Sequence, residues 1–329
     1  MRTGFRRRTL FGAAVAALVA IVAPGCFTGV ESTPRITDSD VRREHAASPT
    51  AEQLFTQGIE SEAPSQWRRG KPFRVADNKI SLVFTTASSK TGSMLGRDLL
   101  FDGFTAVPSL TGEGETEVRF LSPRPGGGFD TLYYRHPVPM AELPETRRMD
   151  IPFTVDLDLV NRTDSVMSGR SFYIVTPNWY DPLNDRKATW GYRHVEVVVD
   201  SVVEGNANYP LSVCFHLADP DLAATPTGRG EKMVFMTVGL DKTSTRNFQS
   251  LFALENPRRK YPQIPDEVWP LIIRSRIRKG MSRDECRLAL GAPPILERIP
   301  TRAGMAERWG YSDGVYLIFE DGMLTHFRQ

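Results

Sequence analysis

ERWGYSDGVYLIFEDGMLTHF, residues 307 to 327, is the stretch on which the reading of this chain turns. Its centre, GYSDG (Gly310 to Gly314), fits Gly-x-Ser-x-Gly, the pattern of a nucleophile elbow. An elbow is a tight turn from a strand into a helix that aims the serine outward. Here the residues after the turn are VYLIF, β-branched and aromatic, which predicts a strand. Asp313-Gly314 is a favoured hairpin-turn pair. A hydrolase of that architecture also needs its acid and its histidine later in the chain. Asp321 and His326 are present, but only 15 residues follow Gly314. The stretch therefore reads as strands joined by turns, with Ser312 structural.

Upstream lies GMSRDECRLALGAPP, Gly280 to Pro294. Ser282 is a good N-cap, Asp284 and Glu285 suit the first turn, and Gly291 with Pro293 ends a helix. Cys286, Ala289 and Leu290 share its apolar face, so Cys286 reads as a small core residue. Trp309, Leu317 and Phe319 are the expected opposing residues. Strands are expected around Leu296–Ile299, Glu307–Tyr311 and Val315–Phe319, with Met323–Phe327 as a fourth or as the third. Before them, TRNFQSLFALENP and DEVWPLIIRSRIRKG look helical.

The Gly-Met-Ser helix start, the Leu-Gly-x-Pro close, the W-x-Y strand and the Leu-x-Phe-x-x-Gly hairpin together resemble the SmpA/OmlA (BamE-like) family. The resemblance covers residues 273 to 327 of the 329. It implies a small ααβββ fold and a place among the outer-membrane lipoproteins of Gram-negative bacteria. Family members of the assembly type are short, whereas more than 200 residues precede the domain here, so the fold carries over better than the role.

Between about Lys71 and Leu240 the pattern is β. One set of strands is expected in NKISLVF (Asn78–Phe84), RDLLFDGF, TEVRFLS and TLYYR. A second is expected in FTVDLDLV (Phe153–Val160), RSFYIVT, RHVEVVVDSVV, YPLSVCFHL and EKMVFMTVG. Alternation is plain in Val155, Leu157, Leu159 and in Leu211, Val213, Phe215, Leu217. RPGGG and DPLND punctuate the runs. Many short strands separated by turns predict a sandwich or small barrel.

The chain opens with MRTGFRRR and then LFGAAVAALVAIVA, Leu10 to Ala23: a basic segment followed by an apolar one. The run falls short of the roughly 20 residues that span a bilayer. It ends in APGC, which resembles the lipobox of bacterial lipoproteins, with Cys26 as the lipidated residue. Ordinary cleavage after Ala-x-Gly, leaving Cys26 free, is the competing reading. Residues 1–25 hold four of the 41 basic residues and none of the 39 acidic ones, so the remainder carries a net charge of about −2. That composition provides no nucleic-acid footprint. Residues 26–70 read as a polar tether, with a helix expected from Ser48 as N-cap.

Other motifs are weak. Lys90–Gly92 lacks the Ser-x-x-Lys nucleophile that penicillin-binding enzymes need. Gly126–Gly128 lacks the Gly-Lys-Ser/Thr of a P-loop and reads as a turn. Cys214 and His216 share a strand face without a third ligand, so no metal or cofactor is expected. The best binding candidate is TPNWYDPLNDRKATWGYRH, in which Trp179, Tyr180, Trp190 and Tyr192 flank a turn. Exposed rings there would stack on sugars or anchor a protein; alternatively they close the open end of the β region.

The expectation is therefore an α+β chain: signal peptide 1–25, lipidated Cys26 and tether 26–70, β-rich regions 71–149 and 150–242, and a helical connector with an SmpA/OmlA-like domain over 243–329. The expected role is a non-catalytic binding or assembly module at the outer membrane. It would be held to the membrane by its lipid and would face an envelope protein or glycan. The alternative is an envelope enzyme whose site is scattered along the chain.

Overall fold

The computed structural model describes residues 50–86, 93–109, 114–184, 186–238, 246–301 and 304–329. Cys26, the segment before Thr50 and the Lys90–Gly92 motif lie outside them. The fold is α+β, with antiparallel sheets and few, short helices.

The first sheet contains β1 (Pro72–Val75), β2 (Phe84–Thr86), β3 (Asp98–Val107), β4 (Glu115–Pro123), β5 (Phe129–His136) and β6 (Thr154–Asp156), in the order β2-β5-β4-β3-β1-β6. Strict alternation along β4 sends Val118 and Phe120 inward, where both are fully buried. They meet Phe73, Leu99, Phe101 and Leu132 in a core of their own. RPGGG turns β4 into β5, with Arg124 and Gly128 closing the hairpin.

The second sheet contains β7 (Ser171–Ile174), β8 (Asn178–Asp181), β9 (Lys187–Trp190), β10 (Val195–Glu204), β11 (Leu211–Leu217), β12 (Lys232–Met236) and β13 (Phe252–Ala253), in the order β13-β7-β10-β11-β12-β8-β9. Its core is a separate cluster built on Phe172, Val197, Val213, Phe215 and Val234. The two sheets do not divide at residue 150: β6 belongs to the first, and β13 returns to the second from beyond residue 242.

Two expected strands are helical. Phe153–Val160 holds only the short β6; Leu157–Met167 is a helix packed on β10. Asp156 caps it, accepting from Leu159 N at 3.2 Å. Val155, Leu157 and Leu159 do alternate, but Leu159, Thr163 and Met167 also fall four apart, and with Val160 they are the buried positions of the helix. The cap decides between the two periods. Asn78–Leu82 is a 3-10 turn capped by Asp77, with the strand starting only at Phe84. Near the start, the helix Ala51–Gln57 is capped by Thr50 in a capping box with Gln53, two residues later than the Ser48 cap expected.

The last sheet is a meander of β14 (Ile295–Thr301), β15 (Gly304–Gly310), β16 (Tyr316–Glu320) and β17 (Met323–Arg328). It has a fourth strand beyond the three counted in the ααβββ expectation. The helix Arg283–Leu290 lies against it, with Ser282 and Glu285 forming a reciprocal capping box. Cys286 and Ala289 are fully buried among Trp309, Leu317 and Phe319, as the apolar face predicts. Leu290 is only half-buried; the inward contact at the start of the helix comes from Met281 instead. Gly291 ends the helix at φ 91°, ψ 179°, a backbone region open in practice to glycine alone. The expected helical runs before it break into Phe248–Leu251, Pro257–Lys260 and Trp269–Ile273, because prolines and Asn caps interrupt them.

Candidate functional site

A cleft of about 510 Å³ opens where the loop Arg148–Phe153 of the first sheet meets the β10–β11 turn and the end of β12. Phe73, Ile151, Phe153 and Leu159 line one side, and Tyr209, Pro210 and Val238 the other. Phe153 stands at φ 62°, which an aromatic residue adopts only when its surroundings force it. The forcing groups are local. Phe153 O accepts from Ala76 N at 2.9 Å, and Ile151 O accepts from Thr154 Oγ1 at 2.8 Å. Arg148 ties the same loop across the cleft: Nη1 donates to Val238 O at 2.6 Å and Nε to Asp150 at 2.7 Å.

Behind the cleft floor sits the most buried charge cluster among the described residues. The Lys71 side chain is 1% exposed. Its Nζ reaches Asp156 at 2.9 Å, Glu62 at 3.1 Å and Asp158 at 3.5 Å, and lies 5.6 Å from the ring centroid of Phe73. Asp156 lines the cleft, caps the helix Leu157–Met167 and pairs with Lys71. Burial raises its carboxyl above the usual range, and Lys71 opposes that shift. Every charged group facing the cleft floor is thus already held by a partner inside the protein.

The four aromatic candidates separate. β8 places Trp179 and Tyr180 on opposite faces of the sheet. Trp179 is fully buried, edge-on to Phe215 at 5.3 Å, with Nε1 donating to Thr176 O at 2.8 Å. Tyr192 is buried too, and its hydroxyl is bonded to Thr225 Oγ1. Neither ring has a face free for a ligand, which corrects the expectation of exposed stacking rings at these two positions. Tyr180 is half-buried on the outer face, against Phe235, and accepts from Arg246 Nη2 at 2.7 Å. Trp190, on the outermost strand, is 62% exposed. The alternation in NWYD was the signal that one of the adjacent pair points inward.

Ser312 lies in a 3-10 turn between β15 and β16, exposed and followed by strand. No elbow forms. Ser312→Ala is expected to cost under about 1 kcal/mol in a urea melt and to leave any phenotype intact; covalent labelling of Ser312 by a serine-hydrolase probe would contradict this. Cys214 and Cys286 are free and buried, and burial pushes the Cys286 thiol up to about 12. His216 is exposed and bonded to Asp200 at 2.7 Å. Among the described residues no group of three or more His, Cys, Asp or Glu side chains is arranged to hold a metal, and no helix is long and apolar enough to cross a membrane.

The Lys71 cluster and the cleft were not foreseen from the sequence. Lys71 and Asp156 are 85 positions apart, so no local spacing signals them. No protein-family model, curated protein or solved structure matches the chain.

Proposed function

We propose that this chain is a cell-envelope lipoprotein, held at the outer membrane through Cys26, whose folded part is a non-catalytic binding or assembly module. On this reading the two larger sheets form a sandwich-like binding region, and the C-terminal helix and meander are a small unit of the SmpA/OmlA kind. The partner, an envelope protein or glycan, enters the intersheet cleft. The observation that carries this is the cleft itself: a concavity of mixed polar and apolar lining, with Phe153 held in a strained conformation and its charged groups paired inside the protein. Such a wall is suited to rigid recognition. Acid–base chemistry would instead require a group free to exchange a proton with its substrate.

The anchor is tested by membrane fractionation. Wild-type protein is expected with the membranes, because a chain carrying two or more acyl groups stays attached. Cys26→Ser is expected to appear in the soluble fraction or as uncut precursor. Wild-type protein found wholly in the soluble fraction would contradict the anchor.

A further inference from the structure

A second cavity, of about 440 Å³, shares no lining residue with the cleft. Its apolar surface comes from Val175, Tyr261 and Leu288. His194 lines it at φ 55°, a strained conformation for a residue with a side chain. The ring is fixed by Nε2, 3.1 Å from Leu288 O. A carbonyl can only accept, so Nε2 carries the proton of the neutral ring and Nδ1 is a bare acceptor. Burial pushes His194 down to about 4, so the ring is neutral near neutral pH. Nδ1 has no hydrogen-bond partner among the described residues.

The rest of the wall carries both signs of charge. Glu52 and Glu255 supply carboxylates, and Lys260 supplies an ammonium group 6.0 Å from the ring centroid of Tyr261. A simple anion would meet two carboxylates there, and a simple cation would meet Lys260. A molecule with an ammonium and a carboxylate close together, and an apolar remainder, satisfies all of them.

We propose that this cavity binds a free apolar α-amino acid. Its ammonium group is held by Glu52, Glu255 and the Nδ1 acceptor of His194, its carboxylate by Lys260, and its side chain lies on Tyr261 and Leu288. This goes beyond the partner-binding role of the cleft and does not depend on it.

Isothermal titration of the full chain with L-leucine tests the site, with leucinamide and N-acetyl-leucine as probes lacking one charge each. Glu255→Gln and Lys260→Gln alter exposed side chains, so both variants should keep the wild-type melting temperature. The expected result is one leucine bound per chain, with affinity lowered at least about tenfold by either substitution and by removal of either charge from the ligand. No leucine heat into the millimolar range, or affinity unchanged in both variants, would overturn the proposal.

Discussion

Truncating Trp179 to alanine is expected to lower stability by roughly 3–5 kcal/mol, the range for a fully buried tryptophan, whereas Trp190→Ala should stay within about 0.5 kcal/mol. The two rings lie on paired strands of one hairpin, with Trp179 opposite Thr189 and Trp190 opposite Asn178. Only Trp179 faces the core of the second sheet. Gly191 makes the same point from the other side. A Cβ there would lie 2.0 Å from Trp179 Cδ2, so the glycine is the space in which the indole sits. Gly191→Ala should cost about 1–3 kcal/mol or more by overpacking. Urea melts of the three variants check the order. Equal losses for Trp179→Ala and Trp190→Ala would show that the hairpin is not packed this way.

The second large effect belongs to Lys71. Lys71→Met keeps much of the apolar stem but leaves Asp156, Glu62 and Asp158 without their shared cation. Removing one partner of a buried pair costs about 3–5 kcal/mol. The pH dependence has a definite sign. Without the ammonium group, burial acts on Asp156 unopposed by Lys71 and holds its folded carboxyl further above its unfolded value of about 3.9. The folded variant then binds protons that the unfolded chain has already released. Its deficit relative to wild type is therefore largest near neutral pH and shrinks as the pH falls toward about 4. Melts of both proteins across that range check this; a deficit that grows on acidification would contradict the assigned pairing.

The parts of the fold that could be read from the sequence are those fixed by neighbours in the chain. Ser282, Glu285 and Gly291 define the helix Arg283–Leu290 from within ten residues, and both ends fall where those residues place them. Tyr311 to Val315 likewise contains its own turn. Where two local patterns compete, the outcome rests on one side chain: Asp156 caps a helix through a run that also alternates. Exposure of aromatic residues was less legible, because it depends on which face of the sheet gains a cover. The helix Leu157–Met167 covers one face of the second sheet; among the described residues the other face carries a small cluster around Cys214, Met233 and Phe235. The cleft was beyond reach, since residues between 61 and 238 converge there without any shared spacing.

The proposed partner is expected to enter the cleft between the two larger sheets. Site-specific photo-crosslinking in cells tests this most directly, with the photoreactive residue at Asn208, an exposed position on the cleft rim, or at Arg298, exposed on β14 and away from the cleft lining. A discrete envelope adduct is expected from Asn208, absent from Arg298 and lost when Phe153→Gly relaxes the strained wall. The same adducts from both positions, or none from Asn208 with the protein folded and at the membrane, would contradict it.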